Sequence, residues 1–263
     1  MTVEEYSEAQ RAITAAVVAL VLRVLEPFRL PLLTVRDWGA ILAALYPTVE
    51  RARRDTAELA RRFYDAQRAQ HTDAEARHDM LLPRYRPEWF EEALRPARDR
   101  LRQSNSTDGV VAQLAMRVAK EIEQAGRRTV LHAVGCDPLR PGWARVATGR
   151  ETCAFCLMMI SRGPVYSRAE YAGLDIEDST AIQLWRRQDL TAIDELMNRW
   201  HPGCDCKAVP VFSRQNWSGR DAYLAAERLW ARVTKGYSGK DALNALRRAL
   251  DAGEIDPADF AAA

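Results

Sequence analysis

Five side chains of metal-ligand type fall in two tight clusters, Cys153-Ala-Phe-Cys156 and His201-Pro-Gly-Cys204-Asp-Cys206, about fifty residues apart. No other feature constrains the fold as strongly, because two distant segments that share one ion must be brought to the same place. Zinc is held by four nitrogen or sulfur donors in a tetrahedral shell, and a Cys-x-x-Cys turn aims two sulfurs at one point. Cys153, Cys156, His201, Cys204 and Cys206 offer five donors for four positions. Two shells therefore stay open: both Cys204 and Cys206 bind while His201 lies outside, or His201 binds with one of them.

Structural zinc has rivals in redox, disulfide and catalytic-metal chemistry. A lone Cys-x-x-Cys is also a redox motif, but that reading leaves the second cluster without a role. Disulfides within or between the clusters require oxidising conditions, and free buried cysteines seldom gather in this way. Catalytic zinc needs an open position for water, which a thiolate-rich closed shell does not leave. Glu151 and Asp205 lie close in sequence and are expected to be solvated rather than basic catalysts.

Hydrolytic and nucleotide chemistry find less support. Of the four histidines, His201 belongs to the cluster, His71 and His78 lie in a polar stretch, and His132 sits on a helical pattern as a packed or surface residue. No serine occupies a Gly-x-Ser-x-Gly turn. Gly236-Tyr-Ser-Gly-Lys240-Asp lacks the spacing of a phosphate loop and the Ser or Thr after lysine, and Ser238 reads instead as a helix cap. No catalytic or cofactor-binding residue beyond the metal donors is assigned.

Lys and Arg total 38 against 36 Asp and Glu, a formal charge of +2, so no net field marks nucleic acid or a membrane as the principal target. The fifth cysteine, Cys136, stands apart, which is not the dispersed pattern of a secreted disulfide scaffold. The N-terminus shows no positive flank before an apolar core, and Ala15 to Leu22 is too short to span a membrane. These features suit assembly in the cytosol.

Hydrophobic spacing predicts a helix from Val3 to about Leu25, ended by Pro27 and Pro31, with Ile13, Val17, Leu20, Val21, Val24 and Leu25 on one face. Thr34 with Asp37 has the form of a cap opening a second helix that turns Trp38, Ile41, Leu42 and Leu45 inward, and Pro47 is expected to kink or break it. Beyond Pro47, the charged run including Arg51, Arg53, Arg54, Asp55, Glu58, Arg61 and Arg62 reads as an exposed helix around Val49, Leu59 and Phe63. Residues 70 to 86 read as a loop.

Pro87-Glu88 opens a helix carrying Trp89, Phe90, Ala93, Leu94 and Leu101. After a loop at 103 to 109, Val110, Leu114, Val118, Ile122, Ala125 and Val130 mark a long helix stopping at Gly135 as a left-handed terminator. Short β-prone runs follow at Trp143–Ala147, Pro164–Tyr166 and Lys207–Phe212. A helix is expected from Ser179 or Thr180 to about Asn198, then one from Asp221 to Val233 and one capped by Ser238.

The predicted class is α+β and predominantly helical: long N-terminal helices, a small zinc-stapled α+β module and C-terminal helices. The expected division is a helical region over 1–135, a cysteine/histidine module over 136–213 and a helical tail over 214–263.

The stretch Trp143-Ala-Arg-Val-Ala-Thr-Gly-Arg-Glu-Thr-Cys153-Ala-Phe-Cys156, then Arg162-Gly-Pro-Val-Tyr166 and His201-Pro-Gly-Cys204-Asp-Cys206-Lys-Ala-Val-Pro-Val-Phe212, resembles the Mu-F-like minor head (head morphogenesis) family of tailed bacteriophages. His-Pro-x-Cys-x-Cys is its most specific part, and the long helices over residues 1 to 135 match the family's architecture. The resemblance implies a virion component in the head interior or at the portal vertex, contacting portal and major capsid proteins and acting in head assembly or DNA delivery. Contact with packaged DNA is a further expectation, and related genes in phages of actinobacteria are often described as capsid maturation proteases.

Overall fold

The computed structural model describes residues 1–28, 33–73, 85–101, 108–148, 152–164, 187 and 200–261. Helices α1 (Val3–Leu25), α2 (Val35–Arg68), α3 (Pro87–Leu101) and α4 (Asp108–Cys136) precede strand β1 (Gly142–Val146) and the short helix α5 (Ala154–Ile160). Strand β2 (Lys207–Val211), α6 (Arg220–Val233), α7 (Gly239–Asp251) and a 3-10 turn over Pro257–Phe260 complete the described elements. The class is predominantly helical α+β, as the spacing predicted. The expected strand at 164–166 and helix at 179–198 fall mostly outside the described residues.

Contacts divide the chain into two compact units. One comprises Glu8–Ala60 and Leu81–Thr129, and its core follows the helical period. Val17, Val21 and Leu25 from α1, Trp38, Ile41, Leu45 and Val49 from α2, Phe90 and Leu94 from α3, and Val110, Leu114, Val118 and Ile122 from α4 form one buried cluster. Each set recurs at three, four or seven residues, so each helix lays a single apolar stripe inward.

The Thr34 cap forms as expected: Asp37 N–H donates to Thr34 Oγ1 at 3.1 Å, and Thr34 N–H donates to Asp37 Oδ2 at 2.9 Å. These reciprocal bonds satisfy backbone donors that a helix start otherwise leaves unpaired. Pro47, by contrast, does not break α2, which continues to Arg68. An interior proline costs about 3 kcal/mol, and the buried stripe of Ile41, Leu45, Val49 and Ala52 on both sides of it offsets that cost.

The charged run beyond Pro47 is not wholly solvated either, since Arg53 and Arg61 are buried while Arg51, Arg54 and Arg62 are exposed. Arg53 lies 3.7 Å over the Tyr85 ring and pairs with Glu121 at 3.6 Å, and the Tyr85 hydroxyl donates to Glu121 at 2.9 Å. Burial pushes the Tyr85 phenol well above its ordinary range, with the Glu121 charge adding to the effect.

The other unit comprises Met1–Ser7, Arg61–Met80 and Val130–Ala263. Gly135 is not the left-handed terminator of α4: it has no positive φ, whereas Arg140 does, at 48°. Asp137 makes the stop instead. Its N–H closes on Ala133 O at 3.0 Å and its carbonyl accepts from Arg140 N–H at 2.9 Å. The Asp137 carboxylate, wholly buried, accepts from Arg68 Nε at 2.8 Å, the Tyr64 hydroxyl at 2.7 Å and Leu139 N–H at 2.9 Å. Burial opposes its ionisation, but the three donors and the guanidinium prevail and hold the group below the usual carboxylate range.

Strands β1 and β2 pair antiparallel, with Gly142 opposite Val211 and Val146 opposite Lys207. Among the described residues the sheet has two strands, so proline at position 210 lies on an edge strand, where proline is tolerated. Against the chain leaving β1, a second core gathers Leu157 and Ile160 of α5, Ala226 and Leu229 of α6, Leu246 and Ala249 of α7, and Phe260. Gly219, at φ 99°, opens α6 where any side chain would strike Val146. The glycine-lysine stretch at 236–240 follows helix α6 rather than a strand, and Ser238 is the N-cap position of α7.

Candidate metal centre

Strand register explains how clusters so far apart in sequence meet. Val146 is opposite Lys207, so the chain leaving β1 toward Cys153 and the chain entering β2 from Cys206 run side by side. On the first side, Cys153 is the N-cap of α5: its backbone is extended and its sulfur accepts from Cys156 N–H at 3.4 Å. A thiol thus takes the place usually filled by a hydroxyl or carboxylate. One turn of helix then brings Cys156 onto the same end.

On the second side, Cys204 N–H bonds to His201 O at 3.1 Å across Pro202 and Gly203, and Gly203 has φ 79°. Proline followed by a positive-φ glycine is the pattern of a type II turn. Asp205 fastens this turn to the segment after β1, because Thr152 Oγ1 donates to its carboxylate at 3.1 Å and Thr148 Oγ1 to its carbonyl at 2.8 Å. Burial raises the Asp205 pKa, with the Thr152 bond opposing. The residue expected to be solvated is therefore a partly buried clamp, while Glu151 lies outside the described residues.

The structure brings the five expected donors into two overlapping groups. Cys156 Sγ lies 3.3 Å from Cys204 Sγ and 3.1 Å from Cys206 Sγ, and Cys204 and Cys206 are 3.2 Å apart, so three buried sulfurs form a nearly equilateral triangle. Cys153 Sγ contacts His201 Nε2 at 3.0 Å on the more exposed side. The donor atoms of Cys153, Cys156 and His201 lie within 4.8 Å of one another, as do those of Cys156, Cys204 and Cys206. Cys156 belongs to both groups. Cys136 is exposed at the end of α4 and takes no part.

None of these sulfurs is disulfide-bonded, their separations lying well beyond the 2.05 Å or so of a disulfide. They are also closer than the roughly 3.5–4.0 Å of ordinary non-bonded packing. A tetrahedral shell with zinc–sulfur bonds of about 2.3 Å has edges of about 3.8 Å, which a small outward shift of each sulfur supplies. Soft thiolates on two short turns suit a metal of zinc's type, and the cluster can hold one.

The electrostatics separate the two sides. Hydrogen bonding from Cys156, then from His201 and the Cys156 N–H, draws the Cys153 pKa down to about 4 against the opposing effect of burial. Contact with Cys153 in turn raises His201 to about 9, helped by the Pro202 carbonyl at 2.9 Å from Nδ1. The buried sulfurs move the other way: Cys156 is raised by its three thiol neighbours and Cys206 by burial. Cys153 and His201 also line a cavity of about 520 Å³ with Thr152, Phe155, Arg247 and Asp251.

Two contacting residues are absent from the motif. Arg145, on β1, reaches Cys206 Sγ with Nη1 at 4.0 Å, and its guanidinium lies 3.7 Å over the Trp200 ring. The available signal was a lone charge in the otherwise apolar strand Trp143-Ala-Arg-Val-Ala147. His132, half-buried on α4, is not among the cluster residues.

Comparison with known proteins places these features in context. The profile of a family described as VG15 protein matches residues 1–236. The Gene 15 protein of Mycobacterium phage L5 is 43% identical over 293 aligned positions, covering 100% of both chains. The Gene 15 protein of Mycobacterium phage D29 is 40% identical over 273 positions, covering 95% of this chain and 99% of the relative. No solved structure matches. Among the described residues, no helix is long and apolar enough to cross a membrane.

Proposed function

We propose, for a chain that belongs to the VG15 family of phage proteins, that it is a minor head protein of Mu-F-like type, a virion component acting in head assembly or DNA delivery beside the portal. The observation that carries this reading is the thiol centre: three buried sulfurs within 3.3 Å of one another join the starts of α5 and β2. Such a centre makes a rigid anchor of a small module, and the long helices supply surface for the portal and major capsid proteins. Packaged DNA is a weaker partner, since exposed Arg51, Arg54 and Arg62 on α2 alternate with exposed Asp55 and Glu58.

In this reading the centre binds one zinc ion through Cys153, Cys156, Cys204 and Cys206, with His201 outside the shell on the Cys153 sulfur. What zinc supplies when bound is folding free energy, of order 10–16 kcal/mol in small modules. The residues of the chain bring the donors together and bury three of them. His201→Ala should keep the metal, whereas Cys156→Ser should lose it. For the biological role, purified particles should contain the chain, and portal protein should co-purify with it after co-expression; particles lacking it would contradict the assignment.

One observation favours a second reading as a capsid maturation protease. Cys153 and His201 meet at 3.0 Å on the edge of an open cavity, the arrangement of a nucleophile and its base. That role needs Cys153 free of metal. Co-expression with the major capsid protein would then yield a trimmed product that Cys153→Ser or His201→Ala abolishes, while unchanged capsid mass would leave the structural reading alone.

A further inference from the structure

Beside the metal centre lies a charge that the motif does not contain. Arg145 is only 1% exposed, and strand register fixes where it points. Its direct partner on β2 is Ala208, and Cys206, two residues earlier, shares that face of the sheet. Diagonal neighbours of this kind are within reach of a long side chain, above all when the residue directly opposite is as small as alanine. The guanidinium accordingly extends to 4.0 Å from Cys206 Sγ. Trp200, itself fully buried, covers one face at 3.7 Å, and the Phe155 ring lies 5.7 Å away.

A guanidinium remains charged at any accessible pH and is costly to bury unless negative charge or electron-rich surface meets it. Aromatic faces supply part of that compensation. A thiolate at Cys206, 4.0 Å from Nη1, would add to it, and a divalent ion held by three or four thiolates keeps a net negative charge. Neutral thiols, or sulfurs oxidised to disulfides, would give the cation nothing comparable.

We propose that Arg145 is the charge-compensating residue of the metal centre, clamped by Trp200 and Phe155 so that its fixed positive charge offsets the thiolate charge at Cys206 and slows loss of a bound divalent metal. The proposal rests on the zinc reading above. It concerns a residue acting through the ligands, so its signature is in metal retention and not in which donors bind.

The test uses the full-length chain loaded with Zn(II) or Co(II). Removing an outer-shell partner typically weakens metal binding about 10–100-fold, so Arg145→Gln should release Zn(II) to a chelator at least tenfold faster than the parent. Arg145→Lys, which retains the charge, should stay within threefold of the parent. The Co(II)–thiolate charge-transfer absorption should keep parental intensity in both variants, since no ligand is removed.

Equal acceleration in the Gln and Lys variants, or lost charge-transfer intensity, would make Arg145 a packing residue and overturn the proposal. Parental release by Arg145→Gln would overturn it while leaving the metal reading intact. Failure of the parent chain to take up either metal would remove both. Should Arg145→Gln not fold, Arg145→Lys decides: release within threefold supports the charge role, and release tenfold faster contradicts it.

Discussion

The core over Glu8–Ala60 and Leu81–Thr129 and the centre around Cys156 are ordered by different means. In the first, stability is distributed over more than a dozen buried apolar side chains. In the second, a short two-stranded sheet and a seven-residue helix meet at a few sulfurs beside a smaller apolar core around Leu157 and Leu246, so the junction of β1, α5 and β2 turns on a handful of atoms. Perturbing the first should produce graded losses, and perturbing the second an all-or-none loss of the local module.

The largest expected effect follows from Cys156, the residue shared by both donor groups. Cys156→Ser, or exhaustive chelation, should abolish metal binding and the hydrogen-exchange protection of β1 and β2, while the amides around Leu94, Leu114 and Val118 remain protected. Equal loss of protection in both places would erase the contrast. Next comes the buried Asp137 site: Asp137→Ala removes the carboxylate to which Arg68 and Tyr64 donate and should cost about 3–5 kcal/mol in denaturant unfolding. The folded pKa of Asp137 is depressed, so its contribution is complete above the unfolded value near 3.9 and disappears as pH falls through the lower folded value. Unfolding titrations of parent and Asp137→Asn should therefore converge only in acid.

Leu94 is fully buried in the helical core, and Leu94→Ala should cost about 2–5 kcal/mol with metal content unchanged. Loss of metal in that variant would show that the two kinds of order are not separable. The smallest effect is at the α2 cap, where Thr34→Ala removes the bond to Asp37 N–H and should cost about 1 kcal/mol, measurable as a small drop in Tm.

The same contrast governs what could be read from the sequence. The helices α1 to α4 were legible because a single buried stripe imposes its period on the residues, and the Thr34–Asp37 cap because its chemistry is local. Pro47 was misleading because propensity is local whereas the stripe that holds α2 together runs along both sides of it. Arg53 and Asp137 were illegible for a related reason: burial of a charge depends on partners as distant as Glu121 for Arg53 and Arg68 for Asp137.

For the site, residue type and spacing pointed to the five side chains that lie in the two overlapping groups. The division into a buried sulfur triangle and an exposed Cys153–His201 pair depends on the β1–β2 register and on the turn at Pro202-Gly203, neither of which spacing specifies. Arg145 has no ligand chemistry of its own to mark it in the sequence; its diagonal relation to Cys206 gives it meaning.

Whether the converged thiols form a structural metal centre is tested most directly by elemental analysis of the purified full-length chain under non-denaturing conditions, with zinc counted per polypeptide. The expected result is about one zinc per chain, as a single tetrahedral site requires. A chain carrying no metal, with Cys153, Cys156, Cys204 and Cys206 all open to a thiol reagent while the module stays folded, would contradict it.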